Sequence, residues 1–484
     1  MDLEQRARRQ SRRVIISEIL MVVAVIITVI ILALVVSGYW LNSDFKVERQ
    51  GLLQISSIPT GASVEVDGAS SWLQSTNTSK VLATGEHTVK LSKDGYDSWS
   101  RTIDIKEGLL YRIHYPRLFA ENRSKEPVFT TVNNTSATVS PSRTLMLLTT
   151  NTTTWTLLNL ENEKLDPRTV ELPADFPFTS RTQDGAGVFN GKILSEQWAR
   201  DNEHILIELA QSEEDASVKK WYLLNVKSPE YSIDLTKIFN TDFAAVSIID
   251  HSASNLLVVS GGNLHRIDIS SRQMSAVLVS NIQSFDHYDS TVVFSAPVSD
   301  MNIAEISGRA LDATTPYFIG TFRLGDGNVK PLCATAAPAR VAIGRFYDDV
   351  FIVSAEGSSA KIYKKADFSE FISGELSFSP EHIKVGSDGE FISLYSDGSK
   401  LATVDMEAQS ISEWSPSSVA GDWLDGSMYY SVADGVLSVY DFDGLNARTL
   451  ASNVSAHFPV TISADKWLYF ISDGSLMREW LVEH

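Results

Sequence analysis

Cysteine is almost missing from this chain: Cys333 is the only one in 484 residues. No internal disulfide can form, which excludes a small disulfide-stapled secreted domain and leaves the fold to core packing. Past Glu121 no sustained 3.6-residue apolar period appears, which argues against helical domains there. Catalytic signatures are missing as well: there is no Gly-x-Ser-x-Gly elbow, no phosphate-cradling Gly-rich loop and no dinucleotide fingerprint. The nine histidines are scattered, and no two stand three or four apart as a helical metal pair would. His204, His251, His265 and His287 are read as surface or blade residues, and Cys333 as a small buried apolar side chain. Asp441-Phe-Asp443-Gly444 and Gly325-Asp326-Gly327-Asn328 resemble calcium-loop fragments without the remaining ligands, so both are read as hairpin turns. Basic residues are in short supply, 41 Lys and Arg against 60 Asp and Glu, for a net charge of −19. That balance speaks against a nucleic-acid partner. On these grounds no catalytic residue, cofactor or metal ligand is assigned, and no binding residue can be named.

What the chain does have begins at its start. Arg6, Arg8, Arg9, Arg12 and Arg13 precede an apolar run that reaches Trp40, with eighteen uncharged residues from 19 to 36. At about 1.5 Å per helical residue that core covers nearly the ~30 Å of a bilayer's hydrocarbon. The run is too long for the apolar region of a cleavable signal peptide, about 7–15 residues. Tyr39 and Trp40 stand where an interfacial aromatic belt belongs, and the arginines fix the basic flank on the cytoplasmic side. The expected layout is a basic cytoplasmic tail over 1–13 and a single transmembrane helix over 14–41, with everything after it outside the cell membrane.

Past a polar spacer the period changes to two. Leu53, Ile55 and Ser57 alternate with polar neighbours, Pro59-Thr60-Gly61 is turn chemistry, and Ala62, Val64 and Val66 alternate again before Asp67-Gly68. This predicts a hairpin. A second pair is expected from residues 86–93 and 98–105, turned at Asp94-Gly95.

Pro59-Thr-Gly-Ala-Ser-Val-Glu-Val-Asp-Gly68, followed by Gly85-Glu-His-Thr-Val-Lys-Leu91 and Lys93-Asp-Gly-Tyr96, resembles the PEGA domain. Thr60 stands where that family has Glu, and the usual Gly-x-Thr-Pro between the halves is replaced by Ser71-Trp72-Leu73-Gln74-Ser75-Thr76. The resemblance implies a small β-sandwich over 51–119 with binding roles and no catalysis. Gly61, Gly68, Gly95 and Tyr96 read as turn and packing residues.

The remainder, 121–484, repeats a phrase of short apolar strands separated by Ser/Asp-rich turns. Copies begin near Leu145, Ile205, Leu256, Val292, Val350, Phe391, Met428 and Trp467. Spacings of about 36 to 60 residues bracket a propeller-blade period. Small sheets that cannot bury both faces must stack, and stacking around an axis closes a ring. About eight blades are expected, seven if the copy near Val292 merges with its neighbour, with a pair of β-sandwiches as the alternative. The last copy ends after its third strand, so its fourth should come from residues 127–132, or failing that from 115–119. Tyr429, Tyr430, Trp467 and Tyr469 are read as blade core. Three insertions, 179–200, 211–219 and 299–315, are the places to look for function, although each reads first as a mobile connection.

The fold class is therefore an all-β ectodomain, sandwich plus propeller, behind one membrane helix. The expected function is non-catalytic binding or scaffolding at the cell surface, toward an envelope glycan or protein. The alternative is a propeller-type carbohydrate-active enzyme, a glycosidase or lyase, whose two carboxylates would converge at the central mouth from different blades. A signalling receptor is a weaker third reading, given so short a tail.

Overall fold

The computed structural model describes residues 20–30, 32–33, 39–41, 47–212, 218–298, 316–326, 328–396, 400–416 and 421–482. Residues 20–30 and 32–33 are helical, with Leu20, Met21, Val25, Ile26 and Val29 all more than half exposed. No described helix is long and apolar enough to cross a membrane. The expected span runs beyond the described residues on its N-terminal side. Its other end needs correcting. Tyr39–Leu41 form a strand, β1, paired antiparallel with Val47 to Arg49, so a helix does not extend to residue 41.

The chain divides into two compact units, 1–122 and 123–484. In the first, two four-stranded sheets form the expected sandwich. One holds β1, β2 (Val47–Ile55), β5 (Thr78–Ala83) and, parallel to β2, β8 (Leu110–Ile113). The other runs β4 (Ala69–Ser75), β3 (Ser63–Val66), β6 (Gly85–Ser92), β7 (Trp99–Ile105). Leu53, Ile55, Val64, Val66, Leu91 and Trp99 are buried, as their period of two requires. The β6–β7 pairing is the one expected. The hairpin expected from 53–57 and 62–66 is not formed, because those strands belong to opposite sheets. Pro59-Thr60-Gly61 carries the chain across the sandwich, pinned by Thr76, whose hydroxyl accepts from the Gly61 and Ala62 amides at 2.9 and 3.1 Å.

Among its described residues the second unit has eight four-stranded antiparallel sheets in chain order. Their innermost strands are Asn134–Val139, Lys192–Trp198, Ala245–Ile248, Ser284–Tyr288, Arg340–Phe346, His382–Val385, Gly421–Trp423 and Thr461–Ser463, in blades 1 to 8. The apolar copies legible in the sequence are the second strands of these blades, from Leu145–Thr150 to Trp467–Ser472. Consecutive blades share cores: Leu206 and Leu223 meet Val246 and Leu256 between blades 2 and 3, and Phe351 and Val353 meet Ile392 and Leu394 between blades 5 and 6. Phe391 stacks on Phe442 at 4.0 Å between blades 6 and 7. The Val460 amide donates to Tyr430 between blades 7 and 8.

The ring closes. Trp467, Tyr469 and Leu476 of blade 8 pack with Met146, Leu148 and Leu158 of blade 1, and the Tyr469 hydroxyl donates to the Leu160 carbonyl at 2.9 Å. Blade 8 takes its outer strand from β9 (Lys125–Thr130), which pairs with Ser475–Trp480. This is the closure expected from residues 127–132, shifted by two. Arg478 bonds Glu126 across the ladder, and Arg123 bonds the buried Glu479. A buried carboxylate left without its cation would cost far more than a surface pair contributes.

The insertion at 179–200 is structural rather than mobile. Thr179–Arg181 and Gly187–Phe189 form a hairpin that sends Phe189 against Trp155 between blades 1 and 2, ring centroids 5.9 Å apart. The rest of it is the inner strand of blade 2. Residues 213–217 and 299–315, most of the other two insertions, lie outside the described residues.

Leu476 is fully buried at the seam where the ring closes. Leu476→Ala is expected to cost about 2–5 kcal/mol, seen as a lower urea midpoint, whereas Val132→Ser on the exposed surface should stay within about 0.5 kcal/mol. Equal midpoints for the two variants would contradict the seam.

Candidate functional site

The inner strands end at a cavity of about 870 Å³ lined by blades 2 to 6, with Pro141 of blade 1 at its edge. A second chamber of about 600 Å³ lies along blades 1, 2, 6, 7 and 8, and shares Pro141, Gln197, Trp198 and the residues from Lys384 to Ser387 with the first. Neither chamber was assigned to residues from the sequence. Its walls are built by polar inner-strand side chains that reach the next blade. Gln197 Oε1 accepts from the Ile248 amide at 3.0 Å, and Asp286 Oδ2 accepts from the Ile343 amide at 3.0 Å. Trp198 Nε1 donates to Thr138 at 3.0 Å, and Trp423 Nε1 donates to Ser393 at 3.1 Å. Each bond satisfies a polar group that the channel edge would otherwise leave bare.

Close backbone packing sets the rim. Gly389 has φ +75°, and a Cβ there would run into the Arg345 carbonyl oxygen. At Gly344 a Cβ would lie 2.6 Å from the Phe351 ring and 2.8 Å from Val385. These two glycines let the loops of blades 5 and 6 touch where Arg345 and Lys384 enter the cavity.

The carboxylates in the cavity are mostly committed to main-chain hydrogen bonds. Asp250 accepts from the Ser254 amide and from Asn255, and Asp388 accepts from the Glu390 amide. Asp286 accepts from two amides, Ile343 and His287, yet burial pushes its carboxyl up to about 6. In the second chamber, depth within the ring raises Glu196 to about 7, against a hydrogen bond from Thr138 that pulls the other way. The Glu196 side chain still opens onto the channel, so solvent tempers that rise.

The cations differ in how free they are. Lys384 holds Asp422 with bonds of 2.6 and 2.7 Å, and Arg345 bonds the Tyr347 carbonyl and Asp348. Arg200 has no hydrogen-bond or ion-pair partner among the described residues, and it is exposed in the cavity wall. His287, read from the sequence as an ordinary blade residue, belongs to this site. Burial first, then the Arg200 charge, push its imidazole down to about 4. Its Nδ1 is buried without a partner among the described residues.

Of the remaining sequence readings, His251 alone lines the cavity. His204 bonds Asp201 at 2.6 Å, and the Asn225 amide donates to its other nitrogen, away from the mouth. His265 bonds the Ser275 carbonyl on blade 3, and His251 stands on the cavity rim. Trp467, Tyr469 and Tyr430 are buried blade core, as read. Asp441-Phe-Asp443-Gly444 is a turn closed by the Gly444 amide on the Asp441 carbonyl. Cys333 is only half-buried; burial raises its thiol, which bonds Tyr363.

Residues 50–117 match the PEGA domain model, so the sandwich is a PEGA domain. The second unit is a β-propeller by its own strand order. Solved structures similar to the chain are propellers at low identity. The C-terminal WD40 domain of Sif2 is 12% identical, covering 74% of this chain and 99% of its own, with a TM-score of 0.46. The computationally designed Ika8 protein is 10% identical over 74% and 100%, with a TM-score of 0.42. An oligogalacturonate lyase from Vibrio parahaemolyticus is 13% identical over 68% and 98%, with a TM-score of 0.39. No curated protein matches the chain.

The His287 environment has a measurable consequence. Its folded pKa lies near 4, below the ordinary 6.5, so its contribution to stability is present above pH 6.5 and is lost as pH falls toward 4. His287→Gln should remove that part of the acid sensitivity. Going from pH 7 to pH 5, wild type is expected to lose on the order of 1–2 kcal/mol more than the variant in urea unfolding. Parallel pH profiles would show that His287 is not held neutral.

Proposed function

We propose that this chain is a membrane-tethered, non-catalytic binding protein that holds a polar ligand in the central cavity of its propeller, outside the cell membrane. The observation that carries this is the cavity itself. Five blades line it with charged side chains, and Asp250, Asp286 and Asp388 each accept at least one main-chain amide. Carboxylates so committed shape a polar mouth better than they shuttle protons. A ring of stacked sheets is rigid, which favours affinity by limiting what must be ordered on binding. A fragment of an envelope glycan, or a protruding segment of an envelope protein, has the size and polarity for such a mouth.

The tether rests on the apolar helical residues 20–30 and 32–33, whose side chains are exposed, and on the arginines that precede them. Exposed apolar surface on every side of a helix is stable in lipid and costly in water. The full-length protein is expected to stay with the membrane pellet after an alkaline carbonate wash, and a chain beginning at residue 43 is expected to be released. Release of both would remove the anchor from this account.

The binding reading is tested with residues 43–484 against a panel of envelope glycan fragments and peptides in a thermal-shift assay. Ser387 is exposed and lines both chambers, so Ser387→Trp fills the space without touching the core. A stabilising ligand should lose at least tenfold in affinity for this variant, about 1.4 kcal/mol. Ligands that bind both forms equally would place recognition elsewhere.

A second reading, a carbohydrate-active enzyme, draws support from Asp286, whose carboxyl is pushed up to about 6 by burial, and from the raised Glu196, since a carboxylic acid held toward neutrality can act as a general acid. New reducing ends or unsaturated products from a polysaccharide, lost in Glu196→Gln or Asp286→Asn, would replace the binding reading with this one.

A further inference from the structure

We infer that His87 is a proton-dependent clasp in the PEGA domain: as an imidazolium it ties the two sheets together at one end of the sandwich, and as a neutral ring it releases the end of β5.

The inward face of β6 carries an alternating row, Leu91, Val89 and His87, while Glu86, Thr88 and Lys90 face outward. Leu91 and Val89 are fully buried. The row thus ends in a ring that can carry charge, with only 14% of its side chain exposed. Its two nitrogens reach different parts of the sandwich. Nδ1 lies 2.6 Å from Asp67 Oδ2, in the turn between β3 and β4, and Nε2 lies 2.8 Å from the carbonyl of Ala83, the last residue of β5. β3, β4 and β6 belong to one sheet and β5 to the other, so the imidazole spans the gap between them.

Neither partner has a proton to give. Ala83 offers a carbonyl. Asp67 accepts the Thr88 amide at 2.9 Å through its other oxygen, and the His87 bond, followed by that amide bond, holds its carboxyl below the usual carboxylate range. Both ring nitrogens must therefore donate, which only the imidazolium does. A neutral ring keeps one N–H and turns a lone pair toward one of the two oxygens. The carboxylate is the stronger acceptor, so the neutral ring keeps Asp67 and loses Ala83. β5 pairs with β2 alone among the described strands, so its last residues then have no second ladder to hold them.

The charges that act on the ring are Asp67 and, on β5, Lys80; Glu86 and Asp104 stand opposite each other on the outer face of the β6–β7 ladder, where the partner of His87 is Ile103. Burial and Lys80 oppose the cation, but the Asp67 and Ala83 bonds outweigh them and hold the imidazole above its ordinary 6.5. A raised folded value means that the clasp is fully closed below pH 6.5 and opens as pH rises through the folded value.

The test uses the full-length protein in detergent micelles. With carbon-13-labelled histidine, the NMR signal that disappears in His87→Gln should titrate with a midpoint above 6.5, and Asp67→Asn should lower that midpoint by about one pH unit or more. Hydrogen exchange of the amides at 81–83, corrected for its intrinsic pH dependence, should speed about tenfold between about pH 6 and pH 9 in wild type. The amides of Val89 and Leu91 should stay protected at both, which shows that the domain remains folded. His87→Gln should abolish the pH dependence at 81–83. The wild-type exchange profile needs no variant, so the test stands even where a substitution prevents folding. A midpoint at or below 6.5, exchange at 81–83 that does not change with pH, or the same pH response in His87→Gln would overturn the clasp.

Discussion

The ladder between β9 and the last strand of blade 8 is the constraint on which the rest of the second unit depends. Seven blades are complete in local sequence, and each would still need a neighbour on both sides. The pairing of Lys125–Thr130 with Ser475–Trp480 is the strand ladder that ties one end of the series to the other, beside the side-chain contacts of blade 8 with blade 1. Without it, blade 8 would expose an edge, and blade 1 would lose the cluster that it shares with Trp467, Tyr469 and Leu476. The charges beside the ladder follow the same logic. Arg478 and Glu479 are buried there, and Glu126 and Arg123 make their burial tolerable.

From closure follows the cavity. In an open array, the inner strands would be one more solvated edge; in a ring they converge, and their polar side chains must satisfy the amides of the next blade or a guest. Gln197 and Asp286 do the first. Arg200, exposed in the cavity wall, is left for the second. Rigidity and polarity at the mouth are thus two results of one topological fact. The PEGA domain is a separate packing problem, solved by two sheets crossing at the Pro59-Thr60-Gly61 segment.

How much of this was legible in the sequence depends on which face of a strand is buried. The second strands of the blades are covered on both sides, so they read as unbroken apolar runs, as Leu256 to Val259 does. All eight could be found that way, and with them the ring and its closure. Inner strands are short and polar because they border the channel. Gly421–Trp423 and Thr461–Ser463 look like turn residues, and so the cavity they line was not visible. His287 passed as an ordinary histidine because Arg200 is far from it in the chain. A signal did exist: Arg200, Asp250, Asp289, Arg345, Asp388 and Asp425 each stand two to five residues ahead of a second strand. The hairpin misread in the sandwich has a related cause. Alternation identifies a strand without naming its partner, and the true partner of β2, Thr78–Ala83, is too polar on its outer face to stand out.

The most direct test of the closed ring is native-state hydrogen exchange on the amides of Lys125–Thr130. The account predicts protection matching that of Ser475–Trp480 and of the inner strands, because breaking the ladder opens the ring. Exchange within minutes, as for a fraying terminus, with the other blades still protected, would show that β9 is not what holds the ring together.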